Sequence, residues 1–455
     1  MHPDRRVVSI LALLALIAIP AAVLRVLCLG RACEEERTRA AQVPFCSLPA
    51  SVRDRIAAGY RDGRSPDVLA VTEPTVVLTA GSSSQVARDN TVWPALGDGP
   101  DLVPIVFYGH GVATQGSITA GIEDISPTAA EIIGFDIPHP EVRAGRPVEG
   151  VASGDPPRLF VYVILEGASP EDLATARFVR ERSRDGAGTF DGAVASLPLD
   201  PAAIMATIGT GGLPVEHGIT GSLVRDDDGR VGHAWNAPPV GPVGPGTVIA
   251  TLADDLDEDT RQRSLIGLLG RKPQDRGLIG GEWYIDVDED YVEYSGGGHN
   301  ATLVAESFPL ALRTGFGRDE VPDLFAVVLS GTVEPGTKQY LGKALADIER
   351  AANDASGGSA AFVLTSLPVG GTSDPDTPVS PGFVPLVKDQ IGTRLDADVV
   401  EASVAGGFFL DQDALAQEEI SRQEVIAALR STEIGGEPVF ADAFPGFAVA
   451  LARFC

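Results

Sequence analysis

Cysteine is scarce in this chain: four occur in 455 residues, Cys28, Cys33, Cys46 and Cys455. None forms a C-x-x-C pair and the six histidines are scattered, so a cysteine-based zinc site is not indicated. Basic residues are a minority too, 35 against 63 acidic ones, for a formal charge of -28. Such a field repels phosphate backbones, which excludes nucleic acid as a natural partner. Long apolar runs are absent after the first few dozen residues, so the body of the chain is expected to be soluble. What is present is ordinary for a chain with a sizeable core: 44% hydrophobic and 22% charged residues exclude disorder throughout. The length suits one large α/β domain or two or three small ones.

Arg5 and Arg6 precede an apolar run, Val7 to Leu24, broken only by Ser9 and Pro20. About 18 residues at ~1.5 Å each reach ~27 Å, enough to cross a hydrocarbon core. Arg25 can snorkel at the far end. A cleaved signal peptide is the competing reading, but the run is long for one and no A-x-A site follows. Leu24-Arg25-Val26-Leu27, before Cys28, lacks the small residue of a lipoprotein site. The expectation is an uncleaved, single-pass cell-membrane anchor (residues 1–33, with a cytoplasmic tip). Arg25 and Arg31 follow the segment, yet the short N-terminal tail places the bulk of the chain outside the cytoplasm. Disulfides are permitted there.

Short apolar runs read as buried strands of a parallel sheet: Thr75–Thr79, Val103–Tyr108, Leu159–Leu165, Leu324–Leu329 and Ala361–Thr365. Between them, Ser169-Pro170-Glu171-Asp172 starts one helix and Ser126-Pro127-Thr128 another, ending at Gly134; a third spans about Lys338 to Asp354. This alternation predicts an α/β fold, a three-layer α/β/α sandwich. Pro238–Gly246 and Val369–Pro381 read as surface loops. A strand-like Val399–Leu410 and a helical Arg422–Leu429 suggest a small cap subdomain. There is no internal repeat.

Two blocks carry a resemblance. Pro198–Gly221 reads PLDPAAIMATIGTGGLPVEHGITG, and Leu102–Gly150 contains VPIVFYGHGV, EDISPTAAEIIGF and RAGRPVEG. The first resembles the segment after the nucleophile, and the second the C-terminal end, of the alkaline phosphatase superfamily, in its type I phosphodiesterase/nucleotide pyrophosphatase and phosphate-irrepressible alkaline phosphatase branch. Weaker matches are VYVILEGAS at Val161, QDRGLIGG at Gln274, LFAVVLSG at Leu324 and FVLTS at Phe362; together they cover most of residues 60–455. The resemblance implies an alkaline-phosphatase-like sandwich.

The blocks stand in an unexpected order, with the family's C-terminal portion first. A circular permutation accounts for this, since the termini of compact domains often lie close together. Residues 34–157 would be the transferred C-terminal portion and 158–455 the N-terminal and middle portions, with the cap at about 380–455. Cys46 and Cys455 would then sit beside the same cut, and a disulfide would restore the lost link if their Cα atoms come within ~7 Å. Two unrelated free thiols are the alternative.

The superfamily hydrolyses esters with two divalent metals, usually zinc, beside a threonine or serine nucleophile. By the resemblance, the first metal-binding aspartate falls on Glu166 and the nucleophile on Pro201, beside Ala202. An asparagine that donates to the phosphoryl group falls on Ser222. The K-D-R element reads Gln274-Asp275-Arg276, and the D-x-x-G-H element carries Val333 and Thr337. The T-x-D-H-G element has Leu367 and Pro368, and the last histidine falls near Ser84. A catalytic set is therefore missing and no metal cofactor is expected. The implied function is a membrane-anchored pseudoenzyme that binds an envelope protein or an anionic small molecule, with Arg276 near the cleft. The alternative is a metal-dependent phosphodiesterase, phosphatase or sulfatase-type hydrolase with an unfamiliar ligand set drawn from Glu166 and Glu334.

Other residues read as structural. His217 belongs to the P-x-x-H-G-I signature, and a lone histidine is no metal site. His110, His233 and His299 lie in Gly-rich turns or loops and receive no role. Asp286, Asp288 and Asp290 resemble a calcium loop, but Tyr291 and Gly297 stand where glycine and glutamate are needed. Asp254 to Asp259 reads as an exposed acidic helix face. Gly296-Gly297-Gly298 lacks a phosphate-loop lysine.

Overall fold

A computed structural model describes residues 44–79, 93–96, 101–235, 246–280, 283, 289–294, 301–330, 338–368, 380–452 and 455. The Val7–Leu24 run lies outside them. Among the described residues no helix is long and apolar enough to cross a membrane.

The central sheet contains β1 (Leu102–Gly109), β2 (Leu159–Glu166), β3 (Ala187–Ala193), β4 (Ile266–Gly270), β5 (Tyr291–Tyr294), β6 (Asp323–Ser330) and β7 (Ala360–Ser366). Their order is β5-β4-β6-β2-β7-β1-β3, with the short Gly116–Ser117 strand at the far edge. The five strands from β5 to β7 run parallel. Strand β1 is antiparallel to both neighbours, which corrects its expected parallel placement. All eight residues of β2 are buried, as a central strand covered on both faces requires.

Helices cover both faces. On one lie α1 (Ala50–Gly59), α2 (Ile125–Ile133), α3 (Pro201–Thr210) and α4 (Leu252–Thr260), packed on Phe160, Tyr162 and Ile164. On the other lie α5 (Ala301–Ala311), α6 (Lys338–Ser356) and the Arg177–Asp185 helix, against Val161, Val163 and Leu165. The alternation along β2 thus feeds two cores. This is a mixed α/β fold with a large, mostly parallel central sheet.

A smaller unit has an antiparallel sheet in the order Val400–Val404, Gly407–Leu410, Val68–Thr72, Phe440–Pro445. The Val384–Leu395 and Arg422–Arg430 helices pack on it. An early segment of the chain therefore supplies one of its inner strands. The expected Thr75–Thr79 strand is not in the central sheet: Val76–Thr79 pairs with Ser380–Phe383 in a separate ladder. Asp67 ties this unit to the body, accepting from Arg225 Nη2 at 2.7 Å and from the Leu410 backbone N–H at 2.9 Å.

Two local expectations change. Ser126 lies inside α2, and its hydroxyl donates to Ile208 O at 2.5 Å while facing the Tyr162 hydroxyl at 2.9 Å. It ties α2, β2 and α3 together. The acidic stretch of α4 is not an exposed face, because Asp254, Asp255 and Asp257 are buried. Asp254 closes a capping box with Thr251, and Asp255 Oδ2 accepts from Arg143 at 2.6 Å. Charge alone suggested solvent; an arginine from a distant turn draws that face inward. Cys46 and Cys455 are joined by a disulfide, with Cα atoms 5.2 Å apart. Beside it, the buried Phe45 ring packs on Phe444 at 5.0 Å between centroids.

Candidate functional site

In open α/β sheets ligands bind beyond the carboxyl ends of the strands. Here Glu166 ends β2, Ser330 ends β6 in register with it, and Ser366 ends β7 in register with Leu165. Glu166 is buried and ion-paired to Arg271, which follows β4. Next to them, Asp275 Oδ2 accepts the backbone N–H groups of Arg271 and Lys272 at 2.6 and 3.0 Å. Burial, then the Glu166 charge, pushes the Asp275 carboxyl up to about 7. Glu166 Oε1, Asp275 Oδ1, Thr365 Oγ1 and Ser366 Oγ are buried without a hydrogen-bond partner. Such atoms are uncommon and costly, so their occurrence at the carboxyl ends of β2 and β7 and in the turn after β4 marks the place.

The 3-10 turn Pro273–Leu278 carries Gln274, Asp275 and Arg276 and packs on α3. The approach is close: a Cβ on Gly209 would lie 2.1 Å from Gly277 O. Pro201 occupies the first turn of α3, where its missing N–H costs nothing. Asp200 caps the helix, its Oδ1 accepting from Ala202 N at 2.9 Å. The Ser222 hydroxyl lies 2.7 and 2.8 Å from the two Asp200 oxygens. Burial holds the Asp200 carboxyl above its ordinary range.

The remaining positions divide. Leu367 is buried, its N–H donating to Leu165 O at 3.0 Å, and Pro368 follows it, also buried. Val333, Thr337 and Ser84 lie outside the described residues, as do Glu334 and Gly336. Arg276 is buried, donating to Gly280 O at 2.9 Å and ion-paired with Glu289, so the expected anion-holding role does not match its contacts. Asp290 belongs to the strand start, its Oδ2 accepting from Ile266 N at 2.9 Å; Asp286, Asp288 and His299 fall outside the described residues. Two residues were missed by sequence reasoning: Arg271 and the capping Asp200. The signal for Arg271 was its place just after an apolar strand, Ile266–Gly270, and for Asp200 its place before a proline that opens a helix.

His217 is wholly buried. Its Nδ1 accepts the Ile219 N–H at 3.1 Å, so the proton resides on Nε2, which donates to Thr207 Oγ1 at 3.0 Å. The Thr207 hydroxyl in turn donates a hydrogen bond to Ala203 O at 3.0 Å. Burial, helped by Arg61 and Arg64, pushes this imidazole down to about 3, leaving it neutral and structural.

A two-metal centre needs several carboxylates and imidazoles around open positions. The donor set at the described stations does not fit one. Glu166 is engaged by a guanidinium, and Pro201, Leu367 and Pro368 offer no ligand atom in their side chains. Among the described residues, no group of three or more His, Cys, Asp or Glu is placed to hold a metal ion.

No protein-family model matches the sequence, and no curated protein matches it. Among solved structures, the chain is similar to the crystal structure of wild-type alkaline phosphatase PafA, at 14% identity and a TM-score of 0.43. The match covers 64% of this chain and 85% of that one.

Proposed function

We propose that this chain is a membrane-anchored, extracytoplasmic protein on an alkaline-phosphatase-like scaffold, which acts by binding and not by two-metal ester hydrolysis. One observation carries the reading: the carboxylate at the carboxyl end of β2, Glu166, is neutralised by Arg271. A guanidinium supplies the positive charge that a metal would otherwise contribute, but offers no open coordination position. Pro201, which opens α3, has no side-chain oxygen to attack phosphorus. The N-terminal apolar run supports the anchor.

Metal analysis of the purified full-length protein, combined with hydrolysis of an aryl phosphate and an aryl phosphodiester, tests this. The expected result is no stoichiometric metal and no turnover above background. Zinc at one or two equivalents, with turnover lost on chelation and restored by zinc, would defeat it. A hydrolase with an unfamiliar ligand set is the second reading, favoured by the unpartnered Glu166 Oε1.

A further inference from the structure

On the face of the sheet away from Glu166, helices α5 and α6 pack side by side and leave a groove between them of about 640 Å³. Its floor is apolar, formed by Ala305, Leu312, Ala351 and Ala355. Its walls carry four cations, Arg313, Arg318, Lys343 and Arg350, against two carboxylates, Asp347 and Asp354. In a chain of net charge -28, a groove with a cationic excess is a local reversal of sign.

Pairing within the groove does not cancel that excess. Asp347 is shared between Lys343, 2.5 Å away, and Arg350. Arg318 donates to the Arg313 backbone oxygen at 2.9 Å. Among the described residues, neither Arg313 nor Arg318 has a carboxylate within ion-pair distance. Along α6, Tyr340, Lys343, Asp347, Arg350 and Asp354 recur every three or four residues, which places them on one face. Tyr340 and Leu310 are each 56% exposed, which leaves large apolar surface on the same pair of helices as the cations.

We propose that this groove docks an acidic segment of a partner protein, its carboxylates meeting Arg313 and Arg318 and an apolar side chain resting near Tyr340. Charge complementarity chooses the occupant. A second copy of this chain, itself of net charge -28, would have to offer such a segment in an exposed stretch. Interfaces of this type gain orientation and association rate from their charges.

The test uses the full-length protein and a fluorescein-labelled peptide of alternating Glu and Asp with one central Leu, read by fluorescence anisotropy. Binding is expected at about 20 mM salt and should weaken ~tenfold or more at about 300 mM, where screening shortens to a few ångströms. The double variant Arg313→Glu/Arg318→Glu, whose side chains are exposed, should bind ~tenfold more weakly at low salt with an unchanged melting temperature. Tyr340→Ala should weaken binding at both salt concentrations. Absence of binding at low salt overturns the proposal. So does peptide binding that the charge-reversed double variant leaves intact. Concentration-dependent self-association that depends on Arg313 and Arg318 and excludes the peptide would assign the groove to a second copy instead.

Discussion

Replacing Asp275 with asparagine should stabilise this protein above neutral pH. The wild-type carboxyl is raised from its ordinary value of 3.8 to about 7, first by burial and then by the Glu166 charge. A folded-state value above the unfolded one means that the folded state binds more protons between the two. Stability is therefore fully present below 3.8 and is lost as pH rises toward 7. About three pH units at ~1.4 kcal/mol each give roughly 4 kcal/mol, an upper figure for a group whose surroundings can relax. The asparagine oxygen can still accept from the Arg271 and Lys272 N–H groups, so the turn keeps its bonds. Its amide then takes the place of Oδ1, an atom with no partner. Urea unfolding at pH 4, 6 and 8, followed by circular dichroism, reads the effect. The variant should match wild type at pH 4 and exceed it by about 2–4 kcal/mol at pH 8, with a flatter profile between. Parallel profiles, or a variant less stable at pH 8, would refute the placement of an uncompensated charge beside Glu166.

Three further outcomes follow from the packing. Asp255→Ala strands the buried Arg143 guanidinium, which also donates to Thr210 O and Ala250 O, and should cost about 3–5 kcal/mol by urea melt. Cys455→Ser opens a covalent link between residues 409 apart; the chain-entropy limit of about 6 kcal/mol usually shrinks to about 2–4, read as a lower melting temperature. Gly209→Ala forces a Cβ onto Gly277 O and should shift the 3-10 turn, destabilising by about 2 kcal/mol or more, whereas the same change at the uncrowded Gly342 should be neutral or stabilising.

Much of the sheet was legible because its strands are fully buried. The runs Leu159–Leu165, Leu324–Leu329 and Ala361–Thr365 all fall within parallel strands, since a strand covered on both faces must be apolar throughout. Helix punctuation read well where a side chain caps its own helix: Ser169 accepts from Asp172 N at 3.1 Å, as its residue type suggests. It failed at Ser126, whose hydroxyl finds Tyr162 and Ile208 instead. Strand direction was not legible either. Val103–Tyr108 has the composition of the parallel strands of the same sheet, and burial does not depend on which way a chain runs.

At the candidate site the division is sharper. Sequence alone determined that proline at 201 and leucine at 367 bring no side-chain ligand or nucleophile atom in any fold. It also determined the acidity of the chain and the presence of an apolar run long enough to span a bilayer. Tertiary structure alone decided that Arg271 meets Glu166, that Arg276 is engaged with Glu289, and that three aspartates of α4 face inward. Those outcomes depend on partners more than a hundred residues away, or on a turn geometry that composition does not encode. A charged side chain is stable in the interior only beside its counter-charge, and chain order does not say where that counter-charge will be.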